Sequence, residues 1–370
     1  MTAQELRRHL HRYPELSFEE QATAAYISSA LSQYGIEHRS IAKTGLLCKI
    51  EGKGDLKRAV VLRADIDALP VTEATGLAYS SENEGVMHAC GHDIHAGALF
   101  GALCRLNETK DFEGTIFGVF QPGEERNPGG ASYVLAEEPF EGYDVVAVVG
   151  QHVEGTFEVG RLGFREGKYM ASSDELRFTV CGVGGHGAMR HKIKDPVQAG
   201  ADLLLQLVAL NKDELVLSIG KVVADGATNV IPESVYLEGT MRTFDEAERA
   251  ATKQRINELA REVEAKYSGI TVNVDISHGF PCVVNDPKLT ALARELAAEK
   301  YSVEALELRT TSEDFGFYTT RYPSLFYRLG AGPDVGAPHT AVFSPHEEAI
   351  DVGIDFMEAI AKKISKSHKR

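Results

Sequence analysis

The chain of 370 residues has no apolar run near the ~20 residues a membrane span requires. Its first residues, MTAQELRRHLHRYPEL, lack the apolar core of a secretion signal. Positive charge is also short: 39 Lys and Arg face 54 Asp and Glu, for a net charge of -15. Such a chain repels phosphate backbones and anionic membranes, so neither nucleic acid nor a membrane is an expected partner. Cysteine is scarce as well. Five residues, Cys48, Cys90, Cys104, Cys181 and Cys282, are few and odd in number, which argues against a disulfide framework and for reduced thiols. No CxxC pair exists from which to build a zinc ribbon. These absences predict a cytoplasmic protein.

What is present is concentrated between Val86 and Gly97, VMHACGHDIHAG, where three histidines, a cysteine and an aspartate precede an apolar helical pattern. Cys90 and His92 are separated by one glycine, which lets a thiolate and an imidazole approach one ion from adjoining positions. Remaining ligands must come from distant parts of the chain. A histidine-rich helix start with a structural cysteine is the bland alternative.

The length exceeds what one hydrophobic core usually supports, and two domains are expected. Leu6 to His11 reads as a short helix ended near Pro14. Ser17 opens a second, with Glu20 completing a capping box. Leu46–Ile50 and Ala59–Leu62 read as a hairpin. The second of these ends in RADIDALP, placing Asp65 and Asp67 just past an apolar strand, where open α/β sheets carry ligand-facing side chains. A polar turn with a capping aspartate explains that pair equally well. A helix from Ile94 to Leu106 leads to the strand Thr115–Phe120, which runs into QPGEERNPGG. There Glu124 and Glu125 can divide labour, one bound to a cation and one free for proton transfer, although a solvated acidic loop looks the same locally. Asp144–Val149 ends at Gly150, Gln151, His152, and Ser324–Leu329 precedes His339. Four strands ending in metal-capable residues favour a metal centre.

Between these blocks the pattern changes. Ser173–Cys181, the helix from Asp195-Pro196 to Leu210, Leu215–Val223, Val235–Arg242, the helix Asp245–Tyr267 and Ile270–Ser277 run βαββαβ, the ferredoxin-like split order. The expected fold is α/β with this α+β domain inserted at residues 166–280, the flanking segments 1–165 and 281–370 forming the other domain. Helices from Asp286 to Tyr301 and from His346 to Ser365 return to the latter.

In order, HRYPELSFEE, RADIDALPV, GVMHACGHDIH, FQPGEE, GQHV, GGHGA, GATNVIPE, LEGTMRTF, SEDFGFY and PHT resemble the amidohydrolase branch of the aminoacylase and carboxypeptidase family of two-metal enzymes. That branch includes hippurate hydrolases and N-acetyl-diaminopimelate deacetylases. The resemblance implies a zinc-peptidase-like catalytic domain holding two divalent ions, Zn, Mn, Co or Ni, with Cys90 bridging them and His92, Glu125, His152 and His339 completing the ligands. It implies that Glu124 is the general base and acid, and that Asp65 and Asp93 orient ligands from behind. Arg63 stands where other branches place a metal histidine. In the inserted lid or dimerisation domain it implies that His186 stabilises the oxyanion, often across a dimer interface, and that Asn229 and Arg242 contact the substrate. A strand-end ion pair is the ordinary alternative for Arg242.

Two departures bear on this. Gly123 stands where many relatives have alanine, a change expected to be tolerated, and Met189-Arg190-His191 replaces a proline-containing sequence, which leaves the acyl preference open. The chain also begins close to HLHRYPEL, as though the start were shortened. The expected reaction is hydrolysis of an N-acyl-amino acid, N-acetyl, N-benzoyl or similar, by a cytoplasmic homodimer. A dipeptidase or carboxypeptidase with the same centre, a metal-dependent carboxylate-binding protein and a redox sensor built on Cys90 are the competing readings.

Overall fold

The run Arg58–Asp65 is buried along nearly its whole length, as a strand covered on both faces must be. In the computed structural model, which describes residues 1–367, this strand occupies the middle of an eight-stranded sheet. In chain order the first strands are β1 (Glu37–Ile41), β2 (Gly45–Glu51), β3 (Arg58–Asp65), β4 (Thr115–Gln121) and β5 (Asp144–Glu154). The sheet runs β1-β2-β4-β3-β5 and continues through Ser324–Gly330, Arg161–Phe164 and Ser302–Ala305.

The expected hairpin is not formed. β2 pairs antiparallel with β4, and β4 lies between β2 and β3. Both runs are apolar and of strand length, but the one that is buried throughout goes to the sheet interior, where parallel neighbours flank it on both sides. β5 is longer than expected, so Gly150, Gln151 and His152 lie within the strand rather than beyond it.

Helices α1 (Ala3–Arg12), α2 (Gln21–Gln33) and α3 (His92–Thr109) belong to this sheet's unit. α1 is capped by the reciprocal Thr2 and Glu5 hydrogen bonds. The capping box expected at Ser17 and Glu20 is absent: α2 starts at Gln21 with no side-chain cap, and both residues bond elsewhere. Leu99 and Leu103 of α3, Leu62 of β3 and Met357 and Ile360 of the helix Glu348–Lys366 share one core. Burial of each such side chain contributes about 1.5–3 kcal/mol.

Met1–Tyr169, Val283–Glu307 and the described part of Asp314–Arg370 form this first unit, and Met170–Cys282 with Leu308–Glu313 form a second. The last three residues of the expected span 281–370 lie outside the described residues. Segment 308–313 goes with the second unit because Ala171 and Arg242 hydrogen-bond to it. The second unit has a four-stranded antiparallel sheet in the order Leu215–Val223, Ser234–Thr243, Asp174–Cys181, Thr271–Ile276, with helices Pro196–Val208 and Glu246–Lys266. Element order and strand order together give the ferredoxin-like split. Among the described residues no helix is long and apolar enough to cross a membrane.

Candidate metal centre

β3, β4, β5 and Ser324–Gly330 run parallel, so their C-terminal ends share one edge. Chains leaving that edge carry Asp67, Glu124, Glu125 and His339, while His152 stands near the end of β5. Cys90 and His92 arrive from the start of α3. Gly91 between them has φ +86°, and a Cβ there would lie 2.6 Å from Val153 Cγ2, so the turn requires glycine. A backbone bond from His339 N to the Ala89 carbonyl (2.8 Å) ties the last loop to the Cys90 turn.

The donor atoms of Cys90, His92 and His152 lie within 4.8 Å of one another, and so do those of Cys90, Glu125 and His339, and of His92, Glu124 and Glu125. Cys90 belongs to the first two of these groups. His92 Nδ1 donates to the Asp67 carbonyl (2.9 Å) and His152 Nδ1 to the Val153 carbonyl (2.8 Å), which leaves the lone pair of each Nε2 turned to the cluster. His152 Nε2 is 3.3 Å from Cys90 Sγ. Among the described residues His92 Nε2 and Glu125 Oε1 are buried with no aligned hydrogen bond, although His339 Nε2 comes within 3.4 Å of the latter. Buried polar atoms without partners cost free energy, and a cation at this point removes that cost. One thiol, three imidazoles and a carboxylate therefore fit a divalent ion of the Zn, Co or Ni type, with Mn possible where oxygen dominates.

Charge leads to the same conclusion. Burial opposes the charged form of His92, but Asp65, Cys90 and Asp67 outweigh it and hold the ring well above its usual range. Burial, with Arg328 and His95, holds His152 well below. Burial and Glu125 push the Cys90 thiol up to about 12. Carboxylates of Asp65, Glu124 and Glu125 stand 3.9, 4.0 and 3.9 Å from His92 Nε2, negative charge that a cation there would neutralise.

Asp65 does not hydrogen-bond His92. It accepts from Arg63 Nη1 (2.5 Å) and from His95 Nδ1 (2.5 Å), and Val153 N donates to His95 Nε2 (2.9 Å). Both nitrogens of His95 are thus committed. Burial would raise the Asp65 carboxyl, but Arg63, His92 and His95 hold it well below the usual range. The orienting contacts fall to Asp67, whose carbonyl fixes His92 and whose Oδ2 accepts from Glu125 N (3.0 Å) and Ser17 Oγ (2.7 Å). Asp93 turns to α1 instead, accepting from Arg7 Nε (2.7 Å) and His11 Nδ1 (2.9 Å). Arg63 is fully buried and also pairs with Asp314 (2.7 Å). Sequence reasoning missed His95, Glu20 and the Arg7–His11 clamp. His95 had a signal, since it stands one helical turn from His92 on a face shown here to be buried.

In the second unit, His186 pairs with Val230 in a two-stranded ribbon, and Gly187 N donates to the Asn229 carbonyl (2.8 Å). Ala188 N donates to His186 Nδ1 (3.2 Å), which places the ring proton on the exposed Nε2. Arg242 Nη1 donates to Ser312 Oγ (3.1 Å) and the Thr310 carbonyl (3.3 Å). Among the described residues it has no ion pair, which removes the strand-end alternative.

A mixed α/β sheet whose parallel central strands present sulfur, imidazole and carboxylate donors at one edge defines a metallohydrolase-like site. The chain belongs to peptidase family M20/M25/M40, whose description matches residues 61–363. The N-acetyl-L-cysteine deacetylase of Bacillus subtilis (strain 168) is 38% identical over 374 residues, covering 98% of this chain and 88% of that one. The N-acetyldiaminopimelate deacetylase of Exiguobacterium sibiricum is 34% identical over 362 residues, covering 96% and 97%. Among solved structures, the Bacillus subtilis YXEP protein, a dinuclear metal binding peptidase from the M20 family, aligns with TM-score 0.86 at 32% identity, covering 99% of this chain and 98% of that chain. The resemblance read from the motifs is borne out.

Proposed function

We propose that this protein hydrolyses the N-acyl bond of N-acyl-amino acids, with small acyl groups such as acetyl or benzoyl. The observation that carries the reading is the convergence of Cys90, His92, Glu125, His152 and His339 beside Glu124, with the imidazole lone pairs turned inward. These five residues would hold two divalent cations, and Cys90 is common to two of the donor groups. Bound there, the cations supply Lewis acidity and lower the pKa of water. Glu124 accepts the proton of the attacking water and returns it to the leaving amine. Asp67 fixes the His92 ring and the Glu125 backbone, so the carboxylates meet the reaction already oriented.

From the second unit, His186 donates its Nε2 proton to the developing oxyanion, a role its tautomer supports. Arg242 and Asn229 bind the carboxylate of the amino-acid moiety, and the lack of an ion pair at Arg242 among the described residues leaves its charge available for that. The same reading includes a homodimer through the second unit. Val216, Val222 and Val223 are exposed on Leu215–Val223, an edge strand, as an apolar contact would need. Sedimentation of the purified protein at micromolar concentration checks this, and a monomer there removes the dimer from the reading.

Burial of the Cys90 thiol weighs against a redox sensor, because no thiolate is exposed for oxidation. The deciding experiment strips the protein with a chelator, restores Zn²⁺, Mn²⁺, Co²⁺ or Ni²⁺, and measures turnover on N-acetyl-amino acids, N-benzoyl-glycine and dipeptides. Metal-restored cleavage of the acyl-amino acids is expected. Cleavage confined to dipeptides would make the protein a dipeptidase, and binding without cleavage would make it a carboxylate-binding protein.

A further inference from the structure

Ser17 and Glu20, which the capping-box pattern assigns to a helix start, reach the catalytic edge of the sheet instead. The Glu20 carboxylate is fully buried and accepts from Gly123 N (2.8 Å) through one oxygen and from Thr44 Oγ1 (2.5 Å) through the other. Among the described residues no cation pairs with it. A carboxylate buried without a counter-charge is costly, and its polar contacts must be good for it to persist.

One of these two contacts is with the residue that opens the Glu124–Glu125 turn. Gly123 has φ +62°, and its carbonyl accepts from Gly130 N (2.9 Å). On the other side of Glu124, the Glu125 N–H is held by Asp67, which Ser17 holds in turn. The backbone of Glu124 is therefore fixed at both neighbours by residues 17–20, directly or through Asp67. Phe18, within that segment, has φ +66° and presses its ring on Gly123, leaving no room for a Cβ.

We infer that Glu20 is a positioning residue for the Glu124–Glu125 turn: by capturing the Gly123 N–H it sets where the proton-transfer and ligand carboxylates stand. This rests on the reading of that turn as part of a metal-dependent hydrolytic site. The function depends on reach and an acceptor oxygen rather than on charge. Glutamine keeps both, its oxygen accepting from Gly123 and its amide free to donate to Thr44. Aspartate keeps the charge but is one methylene short.

The test compares Glu20→Gln with Glu20→Asp in the full chain, by Zn²⁺ affinity in competition with a chromogenic chelator, by the visible spectrum of the Co²⁺-loaded protein, and by kcat and KM on an N-acetyl-amino acid. Glu20→Asp is expected to lose roughly tenfold to a hundredfold in metal affinity and in kcat, the scale for residues that orient a ligand. Its KM stays near the wild-type value and its Co²⁺ spectrum changes. Glu20→Gln stays within about threefold throughout, well below that scale. Equal loss in both variants, no loss in either, or the reverse order overturns the inference. Amide hydrogen exchange across Gly123–Glu125, faster in Glu20→Asp and unchanged in Glu20→Gln, decides the same point without metal or substrate. A wild-type protein that binds no divalent metal refutes the hydrolase reading alone, and the exchange result then still judges Glu20.

Discussion

Glu124 and Glu125 are adjacent carboxylates with different neighbours. Both stand about equally close to His92 Nε2, Glu124 at 4.0 Å and Glu125 at 3.9 Å, but Glu125 also lies beside His339 and has its backbone held by Asp67. Replacing Glu124 with glutamine keeps its size and removes its proton-accepting capacity. Turnover is expected to fall by about 10²- to 10⁴-fold, the range for loss of a general base, with metal content unchanged by elemental analysis. Unaltered turnover would remove the role from Glu124. Glu20 gives a second prediction, on stability. Burial, with a smaller contribution from Asp67, pushes its carboxyl from 4.5 up to about 6. The folded protein therefore holds that proton more tightly than the unfolded chain, so the stabilisation is complete below pH 4.5 and is lost as pH rises through 6. Glu20→Gln cannot ionise and should be more stable than wild type above pH 6 by on the order of 2 kcal/mol, the difference vanishing near pH 4.5. Urea unfolding of the chelator-treated proteins across that range measures it, and parallel curves for the two would refute it.

The turn after β4 shows how an element can be legible in kind and illegible in detail. Its residues, QPGEE, announce a carboxylate pair at a strand exit, and alanine at Gly123 looks harmless on sequence. In the structure Gly123 has φ +62° and a Cβ would sit 2.4 Å from the Phe18 ring. Gly123→Ala should cost at least ~1 kcal/mol from the left-handed backbone alone, with the displaced ring adding to it. Adding Phe18→Ala to that variant should recover the packing part but not the backbone part, as chemical denaturation of the double variant would reveal. A Gly123→Ala protein as stable as wild type contradicts the geometry. The supposed hairpin and the supposed capping box failed for one reason. Strand length and the S-x-x-E spacing are local signals, while which strand lies beside β3 and where the Glu20 carboxylate bonds are settled by segments some sixty to a hundred residues away. The helices Pro196–Val208 and Glu246–Lys266, capped by Asp195 and Asp245, are legible because their caps are local.

At the scale of the molecule, the donor set was readable because parallel strands deliver their C-terminal ends to one edge, so a metal-capable residue at each exit is a pattern in the sequence. What holds the donors was less readable. Asp67 orients His92 mainly through a backbone carbonyl, and Asp65 serves Arg63 and His95, distinctions that no residue-type pattern encodes. The candidate ligands all belong to the first unit, and this makes metal dependence local. A ligand at ~1,000 times its Kd stabilises the unit that binds it by about 4 kcal/mol, which slows exchange through opening of that unit by roughly a thousandfold. Hydrogen exchange followed by mass spectrometry, with and without chelator, should therefore show metal-dependent protection in peptides covering residues 86–97, 121–130 and 150–154. Peptides from the sheet of the second unit, residues 174–181 and 234–243, carry no candidate ligand and should exchange alike in both states. If protection is lost equally in both units, or in neither, the cations are not held where Cys90, His92 and Glu125 converge.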